Sequence, residues 1–193
     1  MKKILFIGNS YTYFNDMPQI FARICKENGK DVIADSVTCG GYTLERFLSE
    51  EDEHGARMRK MLSEGGYDYA VMQEQSVRPV TQTDIFLDSA VKLADIIRSC
   101  GAEPVLYQTW ARAEGSETLT ELGLSREQMQ TQLRLAYEKA AAKTGAKLVY
   151  AGDRVSEAYK NGEDVICEDK SHPTQKGSEI IAAEFYREFK NIL

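Results

Sequence analysis

Short apolar runs alternate with stretches in which apolar residues recur every three or four positions, and this alternation continues along the whole chain. Lys3–Ile7, Asp31–Val37, Tyr69–Gln73, Pro104–Gln108 and Lys147–Tyr150 have the length and apolar density of buried strands. Between and after them the helical period occupies residues 17–28, 43–64, 83–100, 125–143, 153–160 and 174–192. In the third of these, Ile85, Ala90, Leu93, Ile96 and Ile97 fall on helical spacing. Asn28-Gly29 and Cys100-Gly101 have the composition of helix stops. Ala136 to Lys143 is rich in strong helix formers.

Repeated strand–helix–strand units with short connections predict right-handed crossovers and a parallel sheet covered on both faces. The pattern therefore predicts an α/β fold with a five-stranded, doubly wound sheet. No linker, internal repeat or low-complexity tract divides the 193 residues, so a single domain spanning 1–193 is expected. In such sheets ligands sit beyond the carboxyl ends of the strands, where the strand order reverses. The longest connection, Ala111–Leu124, is placed to cover such a site.

Composition narrows the function more than the fold. Hydrophobic residues make up 42% and charged residues 28%, proportions of a globular chain. The net charge of -6 disfavours nucleic acid or an anionic membrane as partner. No apolar stretch approaches the roughly 20 residues that cross a bilayer. Two lysines and a short apolar run at the start are too little for a signal-peptide core, which gives a cytoplasmic expectation. Cys25, Cys39, Cys100 and Cys167 form no CxxC pair, and His54 and His172 are the only histidines. Neither a metal site nor a bound cofactor is expected from that set.

The expected strand ends carry Gly8-Asn9-Ser10, Gly40-Gly41, Gln73-Glu74-Gln75-Ser76, and Gln108-Thr109-Trp110. Asp169-Lys170-Ser171-His172-Pro173 precedes the last helix. Those residue types suit acyl transfer. A serine hydroxyl becomes nucleophilic when a neutral histidine accepts its proton, and a carboxylate fixes that histidine's tautomer. A three-residue spacing can set Asp169 and His172 on one side of a turn. Glycine N–H groups and amide side chains can supply oxyanion donors.

The whole set resembles the SGNH (GDSL-like) hydrolases, esterases and lipases on a flavodoxin-like three-layer α/β/α sandwich. Gly8-Asn9-Ser10 stands where that family has Gly-Asp-Ser, "GGYTL" stands at its second block, and "DKSHPTQKG" matches its final Asp-x-x-His-Pro block. "FIGNSYTYFNDMP", "QEQS" and "YQTWA" further resemble a bacterial branch, the DUF4886-type proteins. The resemblance implies Ser10, Asp169 and His172 as catalytic residues, Gly41 as an oxyanion donor and a small-molecule ester as substrate. It departs at two places. Asn9 replaces aspartate, and Gln73-Glu74-Gln75-Ser76 replaces the Gly-x-Asn-Asp of the third block. Alignment favours Gln75 as the amide donor, whereas related carbohydrate esterases, with a glutamine at the strand end, favour Gln73.

Each residue also has a plainer reading. Ser10 could be a turn or cap residue, Asp169 a helix cap, Gly40 and Gly41 a positive-φ turn, and His54 part of a solvated acidic face. Asn9, Glu74 and Trp110 are expected to line the substrate pocket, with Trp110 equally suited to the core and Glu74 open to burial against a helix N-terminus or to an outward position. The function expected is a serine esterase for a small acyl ester, such as an acetyl group on a carbohydrate. A phosphate-binding loop after the first strand, or a non-catalytic binding module, are the alternatives.

Overall fold

The computed structural model describes residues 1–193. Five strands, β1 (Lys2–Gly8), β2 (Val32–Thr38), β3 (Tyr69–Met72), β4 (Glu103–Tyr107) and β5 (Lys147–Val149), form one parallel sheet in the order β2-β1-β3-β4-β5. The helices are α1 (Ser10–Tyr13), α2 (Met17–Glu27), α3 (Leu44–Leu48), α4 (Glu53–Gly65), α5 (Arg78–Thr81), α6 (Thr83–Ser99), α7 (Glu117–Leu122), α8 (Arg126–Thr144), α9 (Ala151–Lys160) and α10 (Gln175–Phe189). This is the three-layer α/β/α sandwich that the sequence predicts.

Side chains alternate across a strand with period two, and β1 shows the result directly. Ile4 and Phe6 face one layer with Phe21 of α2, Val155 of α9 and Phe185 of α10. Leu5 and Ile7 face the other with Leu62 of α4, Leu93 of α6 and Tyr137 of α8. All four β1 residues are fully buried. That explains why the strand reads as a continuous apolar run rather than an alternating one. Phe6 meets Phe21 and Phe185 edge to face, at ring centroid separations of 5.9 and 5.3 Å.

Two expected elements differ. The helix expected over residues 43–64 is two helices, α3 and α4, broken at Ser49–Asp52. Asp52 caps α4 by accepting from the His54 and Gly55 amides, and Gly55 lies so close to the Ser49 carbonyl that a Cβ would stand 2.1 Å from it. A continuous helix cannot make that approach. The connection Ala111–Leu124 contains α7, which Ser116 caps at its start and Gly123, at φ +63°, closes.

The strand order locates the site. From β1 the chain goes outward to β2 and then returns across β1 to β3, so the order reverses between β1 and β3. The groove at their carboxyl ends receives Asn9-Ser10 from one strand and Gln73 to Ser76 from the other.

Candidate active site

Gly8 ends β1 because nothing larger fits. A Cβ there would stand 2.5 Å from Thr12 Oγ1 and 2.6 Å from Gln73 Oε1. Asn9 follows in extended conformation and caps α1, its Oδ1 accepting from the Tyr11 amide at 3.1 Å. Its Nδ2 donates to the Tyr42 carbonyl at 2.8 Å. An aspartate could make the first bond but not the second. Asparagine at this position therefore ties the β1 turn to the turn after β2. Ser10 becomes the first residue of α1, with an N–H that no preceding turn of helix can satisfy.

His172 reaches Ser10 from the far end of the chain. Its Nε2 lies 2.8 Å from Ser10 Oγ and its Nδ1 lies 2.5 Å from Asp169 Oδ2. The other Asp169 oxygen accepts from the backbone amides of Ser171 and His172, at 2.9 and 3.0 Å, which closes the turn. Burial acts to raise the Asp169 pKa, but the hydrogen bonds from the His172 ring and the two amides outweigh it and hold the carboxyl below its usual range. The imidazole is stacked on Phe14 at 4.2 Å and meets Tyr11 edge-on at 5.6 Å.

The segment carrying His172 is held by its neighbours rather than by regular structure. Trp110 Nε1 donates to the Ser171 carbonyl at 3.0 Å, the Ala113 amide to the Lys170 carbonyl at 3.0 Å, and the Cys167 amide to the His172 carbonyl at 2.8 Å. Asn15, in the left-handed region at φ 53°, sends its amide to the Pro173 carbonyl and to Ser178 Oγ. That clamp joins the Ser10 side of the site to the His172 side.

The third block resolves into two glutamines with different surroundings. Gln73 is fully buried: its Oε1 accepts from the Asn9 amide and from Thr12 Oγ1, both at 2.9 Å, and its Nε2 donates to the Glu74 carbonyl. Both ends of that amide are thus engaged within the turn, and the side chain does not line the cavity described below. Gln75 uses only its oxygen, which accepts from the Val77 and Arg78 amides at 3.0 and 3.1 Å. Its NH₂ has no protein acceptor, and the side chain lines a cavity of about 210 Å³ together with Asn9, Ser10, Gly41 and His172. The Gly41 N–H likewise has no protein acceptor, and Gly41 sits at φ +70°.

Glu74 and Trp110 do not line the cavity. Glu74 is fully buried, its Oε1 accepting from the Leu44 amide at 3.2 Å and the Gln75 amide at 2.6 Å. It thereby links the turn after β2 to the turn after β3. Burial pushes its pKa up to about 7 against the pull of those two amides, and its Oε2 has no protein partner. Trp110 is fully buried in the core, stacked on Tyr11 at 4.3 Å. Among the other expectations, Gly40 stays outside the cavity lining, and His54 packs against Tyr42 at 4.8 Å. The sequence reading missed Tyr11, Ser76, Arg112 and Ser171, which complete the lining. Its one pointer was the long connection after β4, of which Arg112 is the second residue.

A hollow of about 340 Å³ lined by Gln130, Arg134, Asp153 and Lys160 is larger but holds no nucleophile paired with a base. Nowhere are three His, Cys, Asp or Glu side chains grouped so as to hold a metal ion. No helix is long and apolar enough to cross a membrane.

No protein-family model matches the chain, and no curated protein matches it by sequence. Solved structures do match. A protein from Slackia heliotrinireducens assigned to the SGNH hydrolases superposes with a TM-score of 0.86 at 29% identity, covering 97% of this chain and 98% of that one. A DUF4886 family protein from Bacteroides uniformis has a TM-score of 0.82 at 21% identity, over 98% of this chain and 83% of its own. A lipase/acylhydrolase from Enterococcus faecalis follows at 0.77 and 17%, over 100% and 97%. Over nearly its whole length the chain is therefore similar in fold to SGNH-type hydrolases.

Proposed function

We propose that the protein is a serine esterase that removes a small acyl group, such as acetyl on a carbohydrate, through a Ser10–His172–Asp169 triad. The observation that carries this reading is the unbroken chain of short contacts from Ser10 Oγ through the imidazole to Asp169, opening on a cavity. His172 Nε2 accepts the Ser10 proton as Oγ attacks the ester carbonyl. The negative charge that develops on the carbonyl oxygen is met by the free N–H groups of Ser10 and Gly41 and the NH₂ of Gln75. Asp169, held in its charged form, keeps Nδ1 protonated and stabilises the imidazolium.

Collapse of the tetrahedral intermediate breaks the bond to the alcohol, which takes its proton from His172 and leaves an acyl-serine. A water then gives its proton to His172 and attacks the acyl carbon, and Ser10 regains its hydrogen as the acid departs. A cavity of about 210 Å³ with Tyr11 as its one apolar residue suits a short acyl group better than a long chain. The test is a panel of nitrophenyl esters of increasing chain length with acetylated sugars, run beside Ser10→Ala. Turnover of the short esters and fluorophosphonate labelling, both lost in Ser10→Ala, are expected; labelling that survives in the variant would overturn the assignment.

A further inference from the structure

Resting on the esterase reading, we infer that the substrate is an anionic ester, whose carboxylate or phosphate group is held by Arg112 beside the scissile bond.

Arg112 brings the one permanent charge to the cavity lining; no Asp, Glu or Lys lines it. The guanidinium donates to two hydroxyls, Tyr11 OH and Ser76 Oγ, the latter at 2.9 Å. Neither partner is charged, and no carboxylate lies within 4.0 Å, the limit at which other arginines in the chain are paired. The neighbouring turns show the contrast. Arg46 is matched by Asp52 at 3.4 Å, and Arg78, two residues after Ser76, is matched by Glu45. Both lie close to the same sheet edge and both are neutralised.

An arginine has five N–H donors in a planar fork. Two are engaged here, and Nε is buried with no partner at all. Desolvating a cation without a counter-ion is unfavourable, so the position stores a demand for negative charge. The fork is also fixed in advance. Tyr11 is stacked on the buried Trp110, and Ser76 is 4% exposed, so their hydroxyls are rigid anchors. An anion entering the cavity would meet an ordered guanidinium and lose little further side-chain freedom. The oxyanion donors and Arg112 lie on the lining of one small cavity, which requires the anionic group to be near the ester rather than at the end of a long chain.

The experiment compares matched esters. Mono(4-nitrophenyl) glutarate against 4-nitrophenyl acetate puts the charge on the acyl side. Acetoxypropionate and acetoxyethyl phosphate against 2-hydroxyethyl acetate put a carboxylate or a phosphate on the alcohol side. The wild-type protein should favour at least one charged ester over its neutral partner in kcat/KM by on the order of 10- to 100-fold. Arg112→Gln should abolish that ratio, and Arg112→Lys should retain part of it. The pair that shows the preference identifies the side and the kind of anion. Charged esters no better than neutral ones, or a ratio unchanged in Arg112→Gln, would overturn the proposal and leave Arg112 as a clamp on Tyr11 and Ser76. Should Arg112→Gln not fold, the wild-type ratio and Arg112→Lys decide. Calorimetric titration of glutarate and inorganic phosphate into Ser10→Ala separates this inference from the esterase reading. Binding that Arg112→Lys weakens, with no ester turned over, would remove the hydrolase and keep the anion site. Ester turnover without binding of either anion at tens of millimolar would do the reverse.

Discussion

The two halves of the proposed triad are built in opposite ways. Ser10 stands on a turn whose polar atoms are almost all inside the protein: Asn9 is 2% exposed, Thr12 1%, and Gln73 fully buried. His172 stands on an irregular segment with a 25% exposed side chain, and its partner Asp169 is 49% exposed. On the first side, each hydrogen bond that aims the nucleophile also satisfies a buried polar group, so position and stability depend on the same atoms. On the second, a partly exposed hydrogen-bonded pair contributes little to stability, and its effect falls on the rate. Substitutions should therefore separate cleanly, with those beneath Ser10 destabilising the protein and those around His172 slowing it.

The largest expected effect concerns the catalytic pair. Ser10→Ala and His172→Ala should each lower kcat on the order of 10³-fold or more, and the double variant should lose little beyond either alone. Tm should barely move in His172→Ala. Additive losses would mean that the two do not act as a unit.

Next come the two glutamines. Gln75→Ala removes the free NH₂ at the cavity and should lower kcat by roughly 10²–10³-fold with KM nearly constant and Tm maintained. Gln73→Ala strips the Asn9 amide and the Thr12 hydroxyl of their acceptor and should cost about 1–3 kcal/mol of stability, with a smaller kinetic effect. Urea melts and steady-state kinetics on both variants give the answer. If the kinetic losses came out exchanged, the oxyanion donor would be Gln73.

Glu74 sharpens the comparison through pH. Its carboxyl keeps its proton in the fold up to about pH 7, whereas the unfolded chain releases it near the ordinary glutamate value. Between roughly pH 4.5 and 7 the native state therefore binds the extra proton, and stability falls as pH rises, by up to about 3 kcal/mol from this residue. The loss is complete above pH 7. Glu74→Gln should flatten that slope in denaturant midpoints measured from pH 5 to 8. An unchanged slope would assign it to other groups.

The smallest effect is expected from Asn9→Asp. The carboxylate still caps α1 but faces the Tyr42 carbonyl in place of an N–H donor, for a loss of about 1–3 kcal/mol, at the low end where the turn relaxes. Thermal melts of this variant beside Asn9→Ala would test it. A stabilised Asn9→Asp would show that the Tyr42 contact is dispensable.

The layers and the strand set were legible because burial on both faces leaves an unmistakable apolar run, as in Ile4 to Ile7. The split of α3 from α4 was not, because it depends on how closely Gly55 approaches the Ser49 carbonyl, a contact that no periodicity encodes. At the site, Ser10, Asp169 and His172 could be named since their spacing and chemistry form a motif. Gln73 and Gln75 could not be told apart, because both are amides near one strand end. Both oxygens accept two hydrogen bonds, and only the partner of the nitrogen and the access to the cavity distinguish them. Arg112 was invisible for a different reason. In sequence it is one basic residue in a loop, and its significance lies in a carboxylate that is absent around it.

The position of β1 bears on how the enzyme comes into being. This strand lies in the interior of the sheet between β2 and β3, with Ser10 just past its end, yet Phe6 is covered on one face by Phe185 of α10. Contacts that complete its burial thus span almost the entire domain, which gives the fold a high contact order and a slow closing step. During synthesis the strand would wait, partly uncovered, until the last helix arrived. His172 arrives only just ahead of that helix, so no nascent fragment that lacks it could hold an assembled triad. The Ser10–His172 contact is in this sense a report on completion: it forms only at the stage when the first strand is finally sealed.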